Sequence, residues 1–233
     1  MTLLLVRLAE ALYGRRLRGR LLVLIVDYVV EAIGVDRVEW CVKYLYELMW
    51  RVREEYEPRA VNFIVSTSEG MGLRLVHRHR HAHTALLWNL DRRGFEELVE
   101  KLGPPRSIDV DVLWGLLGGD PAKLVELAYN YEWSVEGMLA AYSDRLLDVV
   151  RRVEREGLSS LLAAAIDDPD VLAGEDSRVE KLEEILVEAN LVTRLGLLLD
   201  GGRLAPDPEL GAGRYYAWQT PLYRRVLAQL LER

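Results

Sequence analysis

The chain has 233 residues and a mass of 26.6 kDa, with 30 Lys+Arg against 37 Asp+Glu and a formal charge of −7. Half of it is hydrophobic and 29% is charged, an ordinary globular composition that excludes a disordered or fibrous chain. A single cysteine, Cys41, excludes a disulfide framework and a Cys-based zinc site, and the longest apolar runs, such as Leu21–Val26, fall far short of the roughly 20 residues that cross a bilayer.

Met1–Val6 is too brief for the apolar core of a secretion signal, so the expected location is the cytoplasm, with no membrane partner. Only 4 of the 30 cations are Lys, and four Asn and two Gln make heat-labile amides scarce, the pattern of a thermophile. The negative balance argues against a surface that coats nucleic acid throughout, while leaving room for a local basic patch.

In chain order, Leu3–Leu17 carries apolar residues at helical spacing and closes on a cationic turn, predicting an amphipathic helix. Leu21–Val26 is a continuous apolar run that ends on Asp27 and predicts a strand buried on both faces, as in a parallel sheet. Asp36–Glu57, rich in aromatics, predicts a long helix with Asp36 as its N-cap and Pro58 as its stop. Ala60–Val65 predicts a second buried strand that runs into Ser66, Thr67 and Ser68. Strand, helix, strand makes a βαβ unit with a right-handed crossover, so the front of the chain is expected to be α/β.

After about residue 90 the pattern turns helical, with helices predicted at Gly94–Leu102, Asp109–Leu117, Pro121–Tyr131, Val135–Gly157, Ser159–Ile166, Arg178–Ala189 and Pro221–Leu231. Between the last two, Leu191–Leu199, a Gly201-Gly202 turn and Arg214–Trp218 suggest two short strands. That order suggests a winged helix-turn-helix with its wing at Asp200–Gly213.

Several segments carry candidate chemistry. A strand closing on Asp27 would deliver a carboxylate to nucleotide-bound Mg²⁺ at the carboxyl edge of the sheet, although buried strands often end in Asp without any such role. Ser66, Thr67 and Ser68 at the neighbouring strand end would reach a γ-phosphate or the attacking water, or else form a turn that satisfies its own backbone. In Gly118-Gly119-Asp120-Pro121 the glycines release one helix, Asp120 caps the next and Pro121 opens it. That account is complete without a ligand; as a functional element the turn would offer a helix N-terminus to an anion.

All four histidines fall in His77-Arg78-His79-Arg80-His81-Ala82-His83. They would share one face of a strand, or pair at i, i+4 on a helix, and in either form clamp zinc or nickel. Arg74, Arg78 and Arg80 repel a dication and suit phosphate or a nucleic-acid backbone instead, unless the segment is merely solvated. Trp114, Tyr129, Tyr131 and Trp133 read as helix-packing aromatics, and Tyr215–Trp218 as a core strand. Arg203, Arg214, Arg224 and Arg225 are candidates for DNA phosphates, set against the acidic run Asp167–Asp170 and Glu180, Glu183, Glu184 and Glu188.

Taken in order, the strand ending in Asp27, the long helix, the strand entering Val65-Ser66-Thr67-Ser68-Glu69-Gly70, the Arg/His segment leading to Leu87-Trp88-Asn89-Leu90, Phe95-Glu96-Glu97-Leu98, Gly118–Pro121 and Tyr216–Tyr223 resemble the archaeal ATPase family. These are P-loop nucleotidases of AAA+/STAND type with a C-terminal winged helix, and the resemblance covers roughly residues 1 to 230. It implies an α/β fold, with a partial parallel-sheet P-loop core at 1–90, a helical lid at 91–150 and a winged-helix-like α+β domain at 151–233. It implies ATP and Mg²⁺ as cofactors, with Asp27 as the Walker B acid on magnesium. Thr67 with Ser66 or Ser68 would occupy the sensor-1 position, Arg78 the arginine after it, and Gly118, Gly119 and Pro121 the lid motif, here with Asp120 where the family has Asn.

The sequence departs from that family in two places. No Gly-Lys pair occurs, so the phosphate loop with its lysine and magnesium-binding hydroxyl is missing from these residues. Tyr28 stands where the family carries a water-polarising Glu, with Glu31 three residues on. The expectation is therefore a truncated or degenerate homologue with no catalytic residue assigned and no ATP hydrolysis of its own. Such a chain would be completed by a second chain, or self-associate at an exposed sheet edge. The alternative is a noncatalytic winged-helix module that binds DNA or a protein. Metal sequestration by His77–His83 is a third reading.

Overall fold

The computed structural model describes residues 17–27, 29–67, 76 and 82–232, and its contacts divide the chain into two compact units, Met1–Thr84 and Ala85–Arg233. Each is a structure in its own right. Together they make a mixed α/β chain that is mostly helical and carries one small parallel sheet.

In the first unit, β1 (Leu21–Val26) is followed by a short α1 (Val29–Ile33), a 3₁₀ turn (Val35–Arg37), α2 (Val38–Tyr56) and β2 (Ala60–Val65). The strands pair in parallel, from Leu21 opposite Ala60 to Val26 opposite Val65. Their starts are tied by Gly19 N donating to Glu57 O at 2.9 Å and Arg59 N to Arg20 O at 2.8 Å. The helix ends where Glu57 takes a left-handed conformation (φ 48°) and Pro58 follows, as the sequence predicts. Leu48 and Val52 of α2 meet Val61 of β2 in a small core, with Leu22, Leu24 and Phe63 packed around them.

Two expectations are corrected here. The strands are not buried on both faces: Leu21, Val23 and Ile25 are 59%, 43% and 73% exposed, and Ile64 of β2 is also exposed. Alternate residues of a strand point to opposite faces, and α2 covers the one that carries Leu22, Leu24, Val61 and Phe63. Asp36 is not the N-cap of the long helix. It lies inside the 3₁₀ turn, Arg37 occupies the cap position without a side-chain bond, and Val38 N donates to Val35 O. The turn's own backbone thus accepts donors that a capping side chain would otherwise serve. The helix expected over Leu3–Leu17 lies, except for Leu17, outside the described residues.

The second unit contains α3 (Arg92–Leu102), α4 (Val110–Leu117), α5 (Pro121–Asn130), α6 (Val135–Arg155), α7 (Ser159–Asp167), a 3₁₀ turn (Pro169–Ala173), α8 (Ser177–Glu188), β3 (Val192–Arg194), β4 (Tyr216–Trp218) and α9 (Pro221–Leu231). Most of these helices start on a polar side chain that accepts a backbone N–H: Asp91 from Gly94, Asp109 from Asp111, Ser134 from Gly137, Asp176 from Arg178. The helix α9 packs on α6, α4 and α7, and its Leu222, Val226 and Leu227 are fully buried in a core that includes Leu116, Leu117, Met138 and Leu162. The two strands are antiparallel, Val192 opposite Trp218, and each is only three residues long. The predicted strands at Leu191–Leu199 and Arg214–Trp218 are shorter in the structure: Leu195 N still donates to Tyr215 O at 2.7 Å, but Leu197 O accepts from Leu86 N at 2.7 Å instead of from β4. Among the described residues no helix is long and apolar enough to cross a membrane.

Candidate functional site

The parallel register decides what stands at the carboxyl ends of the two strands. Ser66 N donates to Val26 O at 3.1 Å, so Asp27 and Ser66 follow the last paired residues side by side. The Ser66 hydroxyl donates directly to the Asp27 carboxylate, and both side chains are exposed. Thr67 comes next along the same tip and is half-buried. A carboxylate and a hydroxyl are hard oxygen donors of the kind that hold Mg²⁺ together with water. This pair therefore fits the metal, but it supplies no cation and no row of N–H groups to cradle phosphates.

Other residues singled out in the sequence are not all placed. Tyr28, Ser68, Arg78, His77, His79 and His81 lie outside the described residues, as does the side chain of Glu31, while His83 is described and exposed. Among the described residues no three His, Cys, Asp or Glu side chains gather as a metal site.

Gly118, Gly119, Asp120 and Pro121 belong to the second unit. Gly118 closes α4 in a left-handed conformation (φ 59°), and Gly119 follows at φ 82°. Asp120 then accepts from Ala122 N at 2.9 Å and Lys123 N at 3.0 Å, and Pro121 opens α5. The glycines have a second reason to be there. A Cβ on Gly118 would stand 2.6 Å from Pro221 Cδ, and one on Gly119 would collide with the Leu90 carbonyl. The turn is held from both sides: Leu90 N donates to Gly119 O at 3.0 Å, Asn89 bridges Gly118 O and Gln219 O, and Thr220 Oγ1 reaches Leu117 O at 3.2 Å. Burial raises the Asp120 carboxyl above its ordinary pKa, against the pull of the Lys123 amide.

Beside this turn lies a polar cluster that sequence reasoning missed. Glu126 of α5 accepts from Tyr142 OH at 2.7 Å and ion-pairs with Lys123 and Arg145, each at 3.1 Å. The Lys123 ammonium and the Arg145 guanidinium both sit near the Tyr142 ring, at 5.3 and 4.8 Å from its centre, and Tyr223 of α9 packs against the same ring. The i, i+3 spacing of Lys123 and Glu126 was a weak signal; nothing in the sequence joined them to Tyr142 or Tyr223. Burial opposes ionisation of Glu126, but bonds from Tyr142 and Lys123 outweigh it and hold the carboxyl below its ordinary value.

Burial, helped by the bond to Glu126, pushes the Tyr142 phenol up to about 12. An unfolded tyrosine ionises near pH 10, so stability is retained below that pH and lost as pH rises toward 12. We expect the urea midpoint to fall across that window by on the order of 2 kcal/mol of stability, with Tyr142→Phe flattening the fall. An unchanged alkaline limb in Tyr142→Phe would remove Tyr142 as its cause. Glu126 has the opposite sign: its contribution is present above pH 4.5 and lost as pH falls through its lower folded value.

The four arginines proposed for DNA contact are not equivalent. Arg203, Arg214 and Arg225 are exposed, and the Arg214 guanidinium lies 5.4 Å from the Tyr215 ring centre. Arg224 is half-buried and donates to the carbonyls of Ile166 (2.8 Å), Pro208 (2.9 Å) and Glu209 (3.2 Å), so it clamps α7 and the 195–215 loop to α9. Asp170, from the acidic run, accepts from the backbone N–H of Arg214, Tyr215 and Tyr216 at 2.6, 2.7 and 3.0 Å. That carboxylate is the anion in a nest formed by the start of β4.

No curated protein and no solved structure matches this chain. The profile of a family described as an ATPase domain predominantly from Archaea matches residues 3–127. The match takes in both parallel strands with Asp27 and Ser66 at their tips, and runs through Gly118–Pro121 into α5. It spans more than half of the chain, which therefore belongs to the archaeal ATPase family.

Proposed function

We propose that this chain carries the metal and sensor side of an archaeal-type nucleotide site and does not turn over ATP with its own residues. The observation that carries the reading is the contact between Asp27 and Ser66 at the carboxyl ends of adjacent parallel strands. In it, Asp27 holds Mg²⁺ that arrives with a nucleotide, Thr67 with Ser66 or Ser68 reads the γ-phosphate, and Arg78 follows them. No Gly-Lys pair occurs in the sequence, and the described residues at the strand tips provide no phosphate cradle. The fit extends to the metal and not to the triphosphate, so no hydrolytic step is assigned to this chain. A degenerate member of AAA+/STAND type, completed by a second chain or by self-association at the sheet edge, accounts for both facts. Among the described residues the parallel sheet has two strands and an exposed apolar face, which supports such completion.

In the same reading the helices of 91–150 form a lid, with Gly118, Gly119 and Pro121 as its motif, and 151–233 forms a winged-helix-like domain, with α6 running through both. The order α7, α8, β3, β4, α9, with a long loop between the two short strands, supports the second part. The exposed Arg203 and Arg214 between and beside the two strands, with the exposed Arg225 of α9, favour DNA, or else a protein, as its partner. Phosphate release from Mg-ATP tests the proposal. Neither the native chain nor Asp27→Asn should exceed the enzyme-free rate, whereas turnover that Asp27→Asn abolishes would show a complete site and refute it.

A further inference from the structure

We infer that the outer face of α2 is a self-association surface, on which a second copy of this chain docks through an antiparallel two-fold contact. The inner face of this 19-residue helix is committed to the sheet through Leu48 and Val52. Trp40 and Trp50 are nevertheless 60% and 43% exposed. They lie ten residues apart, about 15 Å along the helix axis. Single exposed apolar residues are commonplace, but two tryptophans on one helix are an interface composition.

Both rings are already held in place. Trp40 stacks on Tyr44 with centroids 5.2 Å apart and planes at 17°, and the Arg53 guanidinium lies 5.5 Å from the Trp50 ring centre. Pre-organised aromatic anchors lose little conformational freedom when a partner covers them.

The charges on this helix identify the partner. Lys43, Glu47, Arg51 and Glu54 are all exposed and alternate in sign. In a two-fold contact, residue i meets j while j meets i. A two-fold axis running between the two antiparallel helices, at the level of residues 48 and 49, places Lys43 against Glu54 of the second copy, and Glu54 against its Lys43. The same operation brings Glu47 beside the Trp50–Arg51 turn of the second copy. A polyanion such as nucleic acid would instead meet Glu47 and Glu54. The pattern is complementary to itself, and so it selects another copy of this helix. The contact uses neither Asp27 nor Ser66 and needs no nucleotide.

Sedimentation velocity of the full chain across micromolar concentrations tests this, with circular dichroism confirming that each variant is folded. The native chain should form a dimer. Lys43→Glu, which sets like charges against each other twice, should weaken it by about tenfold or more, and Trp50→Ser should do the same. Lys43→Glu combined with Glu54→Lys should restore association. A native chain that stays monomeric, a dimer indifferent to Lys43→Glu, or a charge swap that fails to restore it would each overturn the inference.

Discussion

Gly119→Ala should destabilise the helical unit by about 2–5 kcal/mol, while Gly103→Ala should cost about 1 kcal/mol. Gly103 ends α3 at φ 64° and Gly119, one residue past the cap of α4, takes φ 82°, where an L side chain is strained. They differ in what a Cβ would meet. At Gly103 nothing lies within 4 Å, whereas at Gly119 the new carbon would collide with the backbone carbonyl of Leu90. That carbonyl has little freedom to retreat, because Leu90 N is bonded to Gly119 O in the same contact. Urea titrations of the two variants separate conformational strain from steric overlap. Equal losses would mean that the close approach of residues 89–90 to the α4–α5 turn contributes nothing.

Trp218→Ala should cost about 3–5 kcal/mol. Trp218 is the largest of the fully buried side chains, at 1% exposure, and pairs opposite Val192 in the β3–β4 ladder. Its indole N–H donates to Ala165 O at 3.0 Å, tying β4 to α7. Truncation leaves a cavity and also strips a buried carbonyl of its donor. Trp218→Phe keeps much of the volume and loses the bond, and should fall between the native chain and Trp218→Ala. A loss of less than about 1 kcal/mol in Trp218→Ala would place this residue outside the core that holds the C-terminal helix.

Much of the architecture was legible from local signals. Apolar runs at Leu21–Val26 and Ala60–Val65 announced two strands, and their separation by a long helix implied the parallel pairing that is present. The acid cap at Asp120 located the start of α5 because capping is a short-range interaction between a side chain and the next few amides. The bounds of α9, Pro221–Leu231, coincide with those predicted.

What stayed hidden depends on partners remote in sequence. A continuous apolar run does not reveal how many helices cover its strand, so the open face of Leu21, Val23 and Ile25 was read as buried. Asp36 was read as a cap because nothing local announced that Gly34 (φ 83°) would start a 3₁₀ turn. Arg224 looked like a cation for phosphate, and only tertiary packing brings the carbonyls of Ile166, Pro208 and Glu209 to it. The Asp120–Pro121 turn read correctly as a cap, whereas the reason for a double glycine before it lay 29 residues upstream in Leu90 and about a hundred downstream in Pro221. For the candidate site, the sequence identified the two strand tips as separate segments, and the parallel register joined Asp27 to Ser66.

The nucleotide-site reading rests on that junction, and cross-linking reaches it without any nucleotide. In a Cys41→Ser background, Asp27→Cys and Ser66→Cys place two thiols on neighbouring strands whose spacing, about 5 Å, suits a disulfide. Mild oxidation should close that bond within a single folded chain, seen as a shift in non-reducing electrophoresis and the loss of both free thiols. Two thiols that stay fully titratable in the folded protein would contradict the pairing of the strand tips and, with it, the nucleotide-site reading.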